Sequence, residues 1–167
     1  MTNQDELQRL LDRAAIHDLH TRYFSGADSA DREIVRACFT DDVIAQYEGR
    51  PSARGIDALL DQIALFRNLE DGACRISTHF MGNLRFKSLT ELTAETEINA
   101  FAFLVPREGS TVAMRSLRYL DRLRRVDGAW KIHARLHTLD WSCETPSSFA
   151  RAFPHKLRSV DDWLASI

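Results

Sequence analysis

Two residues in this chain have the types and the settings for proton transfer. Asp28 follows Arg22-Tyr23-Phe24-Ser25-Gly26-Ala27 and precedes a second carboxylate, Asp31; His79 stands within Ser77-Thr78-His79-Phe80-Met81-Gly82-Asn83. A carboxylate that holds one ring nitrogen of a histidine selects its tautomer. The other nitrogen, with an ordinary pKa of about 6.5, is then a proton acceptor at neutral pH. Brought together, the pair would take a proton from a carbon beside a carbonyl or an allylic centre. Asp28 would orient the imidazole and balance the charge it acquires. Each residue also has a plainer use: a strand histidine can bond a backbone carbonyl, and Asp28 can cap the next turn. Asp31 can serve that cap instead.

Other groups could complete such a site. Tyr23 and Tyr47 are either core aromatics or hydroxyl donors to an oxyanion forming on a substrate. Phe24, Phe101 and Asn99 are candidate lining residues, and Arg135 shares a strand face with His133 and His137. Phe80, Phe103, Met81 and Met114 read as wall and core, which favours a largely apolar ligand. His17 and His20 form a His-x-x-His pair on a helix, but two ligands make no metal site, so both read as surface or packing residues, with His20 able to reach a pocket mouth. No Gly-rich phosphate loop or nucleotide fingerprint is present, and neither a cofactor nor a metal is expected.

The elements that must position these residues follow from periodicity. Residues 5–27 read as a helix, with Leu7, Leu10, Leu11, Ala14, Ile16, Leu19 and Tyr23 on an apolar face and Gly26 near its end. Asp31 looks like the N-cap of a short second helix reaching about Phe39. A strand over 43–47, a turn at 49–51 and an amphipathic helix over 55–68 come next. The period then changes to two, giving strands over 75–87, 92–105, 111–126 and 129–141. Asp127-Gly128 marks a tight hairpin. The tail, 142–167, reads as partly helical, and its Phe149, Phe153 and Trp163 suit either a lid or a strap around a neighbouring subunit. Helices first and an antiparallel meander after them make an α+β layout, with helices packed on one face of a curved sheet that encloses a conical pocket.

Composition narrows the classes. The 167 residues suit one domain, and 44% hydrophobic content supplies a core. Charged residues make up 28% with a formal net charge of −2, which argues against a nucleic-acid surface. No run of about 20 apolar residues offers a membrane span. The acidic, polar start does not read as a signal peptide, and three scattered cysteines suit reduced thiols in the cytoplasm.

Several pieces together resemble the SnoaL-like branch of the nuclear transport factor 2-like superfamily, with its cystatin-like fold. They are Ala14-Ala15-Ile16-x-Asp18-Leu19-x-x-Arg22-Tyr23, Asp28-x-x-Asp31, Cys38-Phe39-Thr40-Asp41-Asp42, His79-x-x-Gly82-Asn83, Arg118-Tyr119-x-Asp121 and Asp127-Gly128-x-Trp130-Lys131-Ile132. They span roughly residues 7–141. The branch includes scytalone dehydratase, bile-acid 7α-dehydratase and a dehydrochlorinase, so the resemblance implies a base dyad at Asp28 and His79. It also implies that Tyr23 matches a catalytic helix tyrosine and Tyr47 a carbonyl-polarising one. A second catalytic histidine of the scytalone enzyme falls near Asn99 and has no counterpart, and an aspartate of the bile-acid enzyme has none either.

The expectation is a cofactor-independent lyase or isomerase acting on a cyclic, mostly apolar small molecule. The alternative is a non-catalytic assembly module, like the small subunit of a ring-hydroxylating dioxygenase; an epoxide hydrolase using Asn99 is a further reading. A homodimer or homotrimer is expected, with Arg115, Arg118 and Arg122 alternating beside Asp121 and Asp140 as a candidate interface.

Overall fold

The computed structural model describes residues 2–146 and 159–166. It begins with α1 (Asn3–Ser29), started by a capping box in which Thr2 and Asp5 bond each other's backbone N–H. The face of α1 formed by Ile16, Leu19, His20, Tyr23, Phe24 and Ala27 is buried. The expected inward positions Leu7, Leu10 and Leu11 are exposed instead, because the first turns of the helix run past the packed layer. The helix also continues beyond Gly26, and Ala30 takes the left-handed conformation that ends it. Gly26 serves packing: a Cβ there would lie 2.7 Å from Ile34 Cγ2. The next helix, α2 (Arg32–Ala37), is capped by the Asp31 side chain, which accepts from the N–H groups of Glu33 and Ile34.

Strands β1 (Phe39–Tyr47) and β2 (Ala53–Arg54) lead into α3 (Ile56–Gln62) and α4 (Ala64–Glu70). The sequence reads as one helix here, but Ile63 is extended at φ −66 and ψ 98. That break keeps Ile63 buried and turns it, with Leu65, toward the interior. Four long strands follow: β3 (Cys74–Leu89), β4 (Thr93–Pro106), β5 (Thr111–Val126) and β6 (Ala129–Pro146). Residues 142–146, expected in the tail, extend β6 and pair with β5. A short α5 (Val160–Leu164) closes the described chain, with Trp163 exposed. Phe149 and Phe153 lie outside the described residues.

The six strands form one curved, unclosed sheet in the order β2-β1-β6-β5-β4-β3. All neighbours are antiparallel except β1 and β6. The sheet is therefore mixed rather than wholly antiparallel: β1 lies beside the last strand of the meander, and both run the same way. Helices cover one face. Beneath them Ile16, Leu19, Phe39, Phe66, Ile98 and Leu123 are fully buried, each worth roughly 1.5–3 kcal/mol of transfer free energy.

Two irregularities aim side chains. Between Met81 and Leu84 the register of β3 shifts, and a Cβ on Gly82 would lie 2.8 Å from the Asn99 carbonyl oxygen. In β6, Ile132 pairs with Leu123 but Ala134 pairs with Arg122, leaving His133 as an extra residue. The inward phase therefore passes from Trp130 and Ile132 to Arg135 and, beyond it, His137. The opposite sheet face carries exposed Phe80, Phe101 and Trp141, with Phe101 and Trp141 rings 5.8 Å apart.

Candidate active site

Asp28 sits in the last turn of α1, and Ser77 and His79 sit two apart on the inward face of β3. His79 Nδ1 lies 2.6 Å from Asp28 Oδ1. The Ser77 hydroxyl donates to the same oxygen at 2.8 Å, and the His79 backbone N–H donates to Oδ2 at 2.8 Å. An ionised carboxylate only accepts, so Nδ1 carries the proton and Nε2 has a free lone pair. Burial pushes the Asp28 carboxyl up, but its bonds from His79 and Ser77 outweigh this and hold it below the usual carboxylate range. Phe24, one turn before Asp28, stacks on the His79 ring with centroids 5.4 Å apart.

His79 lines a cavity between the sheet and α3–α4. Tyr23, Tyr47, Tyr119 and His137 supply its polar wall, while Ile63, Leu65, Ala102, Leu104 and Leu117 supply the apolar one. Charged and amide side chains of Glu48, Arg50, Gln62, Asn68 and Arg115 also line it. The Tyr23 and Tyr47 hydroxyls are 2.7 Å apart. Burial pushes Tyr23 well up, aided by Tyr47 and Tyr119, so its proton stays on at neutral pH. This wall brings phenol hydroxyls to the cavity that the His79 imidazole lines.

The other expected site residues fall elsewhere. Asn99 and Phe101 lie on the opposite face of β4: its inward residues are Ala94, Thr96, Ile98, Ala100 and Ala102. Period two places 99 and 101 outside. The cavity positions of β4 are Ala102 and Leu104, so this strand offers no acid to a leaving group. Arg135 is buried behind the wall rather than in it, bonded to Asp121 at 2.8 and 2.6 Å. Its guanidinium lies 4.1 Å from the Tyr23 ring centroid and acts on the cavity through that ring. Phe24 braces His79 and is not a lining residue.

His20 does not reach the pocket mouth; it is sealed in the core, with Nδ1 3.7 Å from Asp121 Oδ2 and Nε2 3.4 Å from Thr96 Oγ1. Asp121 therefore faces inward, while Arg118 and Arg122 pair on the other face with Asp140 and Glu95. Ser77 is a site residue that the sequence marks only by its place two residues before His79. Among the described residues, no group of three His, Cys, Asp or Glu side chains is placed to hold a metal ion.

A SnoaL-like domain model matches residues 8–136, more than three-quarters of the chain. The chain belongs to the SnoaL-like domain family. It is 28% identical over 129 residues to hexachlorocyclohexane dehydrochlorinase 1 of Sphingobium indicum, covering 76% of this chain and 80% of that protein. A scytalone dehydratase-like protein from Novosphingobium aromaticivorans superposes with a TM-score of 0.73 at 20% identity, over 85% of this chain and 93% of the other. An NTF2-like protein with a cystatin-like fold from the same species gives 0.70 at 24% identity, over 82% and 87%. This SnoaL-like chain thus shares the NTF2-like arrangement of helices on a curved sheet, and its relatives include a lyase.

Proposed function

We propose that this protein is a cofactor-independent lyase of the dehydratase type, acting on a cyclic, largely apolar small molecule such as a hydroxy-ketone, polyketide or steroid. The observation that carries the reading is the 2.6 Å contact between Asp28 and His79 Nδ1, with the same imidazole lining a mostly apolar cavity. His79 Nε2 removes a proton activated by a carbonyl or conjugated system. Asp28 holds the ring and stabilises the imidazolium. A tyrosine hydroxyl receives the developing oxygen charge. Return of the proton to another carbon would make the same dyad an isomerase. Similarity to a dehydrochlorinase and to a dehydratase-like fold supports the elimination. An assembly module gives no reason for a base held at the edge of a cavity.

The test is turnover of cyclic hydroxy-ketones and hydroxysteroids in deuterated buffer, followed by NMR. Loss of water, or deuterium entry at the activated carbon, abolished in His79→Ala, is the expected outcome. No exchange with any of these compounds would overturn the reading. The reading extends to a homo-oligomer formed through the exposed aromatic sheet face, which light scattering would detect as a mass above that of one chain.

A further inference from the structure

His137 belongs to the cavity wall. The bulge at His133 brings it inward, two residues after Arg135. Its ring stacks on Tyr47, with centroids 4.9 Å apart and planes 22° apart. The edge of Tyr119 meets it at 4.9 Å and 71°. These contacts fix the ring plane. The Glu48 backbone N–H donates to Nδ1 at 3.5 Å. With Nδ1 accepting, the neutral ring carries its proton on Nε2 and is a donor there.

We infer, building on the lyase reading, that His137 is a fixed hydrogen-bond donor to a carbonyl oxygen of the substrate. His79 Nε2 takes the proton from the carbon beside the carbonyl, and the C–H electron pair moves through to the carbonyl oxygen, where the His137 bond tightens. The pair then returns to form the C=C bond as the β C–O bond breaks. The leaving hydroxide takes the proton from His79 and departs as water. His137 gives up no proton, so the step closes without a separate acid, consistent with the apolar Ala102 and Leu104 on β4.

The ring is suited to this because it stays uncharged. Burial, then the Arg135 and His79 charges, push its pKa down to about 4. A cationic His137 would oppose the imidazolium forming on His79, whereas a neutral donor does not.

The test reads ligand preference, so that it does not depend on turnover. NMR titration compares phenol, whose ring oxygen mimics that of an enol, with its methyl isostere toluene. The wild-type protein is expected to bind phenol about tenfold more tightly than toluene, as one added hydrogen bond allows. His137→Phe, which keeps the stack on Tyr47, is expected to erase that preference while leaving toluene binding unchanged. His137→Gln, which restores a donor, is expected to recover part of it. Equal loss of both ligands in His137→Phe would show a packing role and overturn the inference. So would a preference that survives His137→Phe, or failure of the wild-type protein to bind phenol. His79→Ala is expected to keep the preference. If no hydroxy-ketone is turned over while that pattern holds, the lyase reading fails and the donor assignment stands.

Discussion

Among the described residues two histidine–aspartate pairs are buried, and one of them presents its histidine to a cavity. At Asp28 and His79 the carboxylate accepts from two donors of the histidine and from the Ser77 hydroxyl, and the imidazole lines the cavity. At Asp121 and His20 the carboxylate is taken by Arg135, the histidine nitrogen is 3.7 Å away, and both side chains are fully buried. The residue types match, yet the first arrangement can exchange protons with a ligand and the second is sealed. What separates them is the surroundings of the second nitrogen: a cavity in one case, the Thr96 hydroxyl in the other. A base is therefore defined by its access as much as by its carboxylate.

The sharpest way to break this contrast is to change one carboxylate in each pair. Asp28→Asn is expected to lower kcat by about 10²–10⁴-fold, as does loss of a positioned base, with the fold kept. His79→Ala falls in the same range. Steady-state kinetics on a turned-over hydroxy-ketone checks both, alongside circular dichroism. Asp121→Ala should act on stability first, costing about 3–5 kcal/mol in denaturant unfolding, because it strands the buried Arg135 guanidinium. If Asp121→Ala left stability intact, the sealed pair would have no structural role.

A smaller effect separates the pairs by pH. Burial, partly offset by Asp121 and reinforced by Arg135, pushes His20 down to about 4. His137 is likewise pushed down to about 4, chiefly by burial. Between about pH 6.5 and 4 the unfolded chain binds protons that the folded chain refuses. Stability is thus full above about 6.5 and falls as the pH drops toward 4, by at most about 3 kcal/mol for each ring. Asp28, held below its usual range, adds a further loss only below about pH 4. Denaturant unfolding across this range should show the slope, and His20→Gln should reduce it. The smallest effect is expected outside the cavity: Asn99→Ala and Phe101→Ala should change kcat less than about twofold, as surface changes usually do. A large kinetic loss in either would mean that the outer face contributes to the site.

Much of this was legible in the chain. The 3.6-residue period of the first helix, the Asp31 cap and the Asp127-Gly128 hairpin depend on local chemistry, and each stands within a few residues of its expected place. Asp28 and His79 could be singled out because their neighbours matched a known pattern. The inward phase of β4 was not legible. Its apolar residues fall on both faces, since Phe101 and Phe103 occupy the outer one, and hydrophobicity then gives no direction. Nor was the fate of Arg135, whose burial depends on Asp121 across the adjacent strand.

The sequence by itself determined the order of the long elements, the Asp31 cap of the second helix, and the choice of Asp28 and His79 as the candidate pair. These are short-range matters of propensity, spacing and side-chain chemistry. The tertiary structure decided which histidine borders a cavity, that β1 closes the sheet in parallel with β6, and that a single extra residue at His133 brings His137 inward. Those outcomes depend on register between strands distant in the chain. A one-residue shift there exchanges the two faces of a strand, and no local signal announces it.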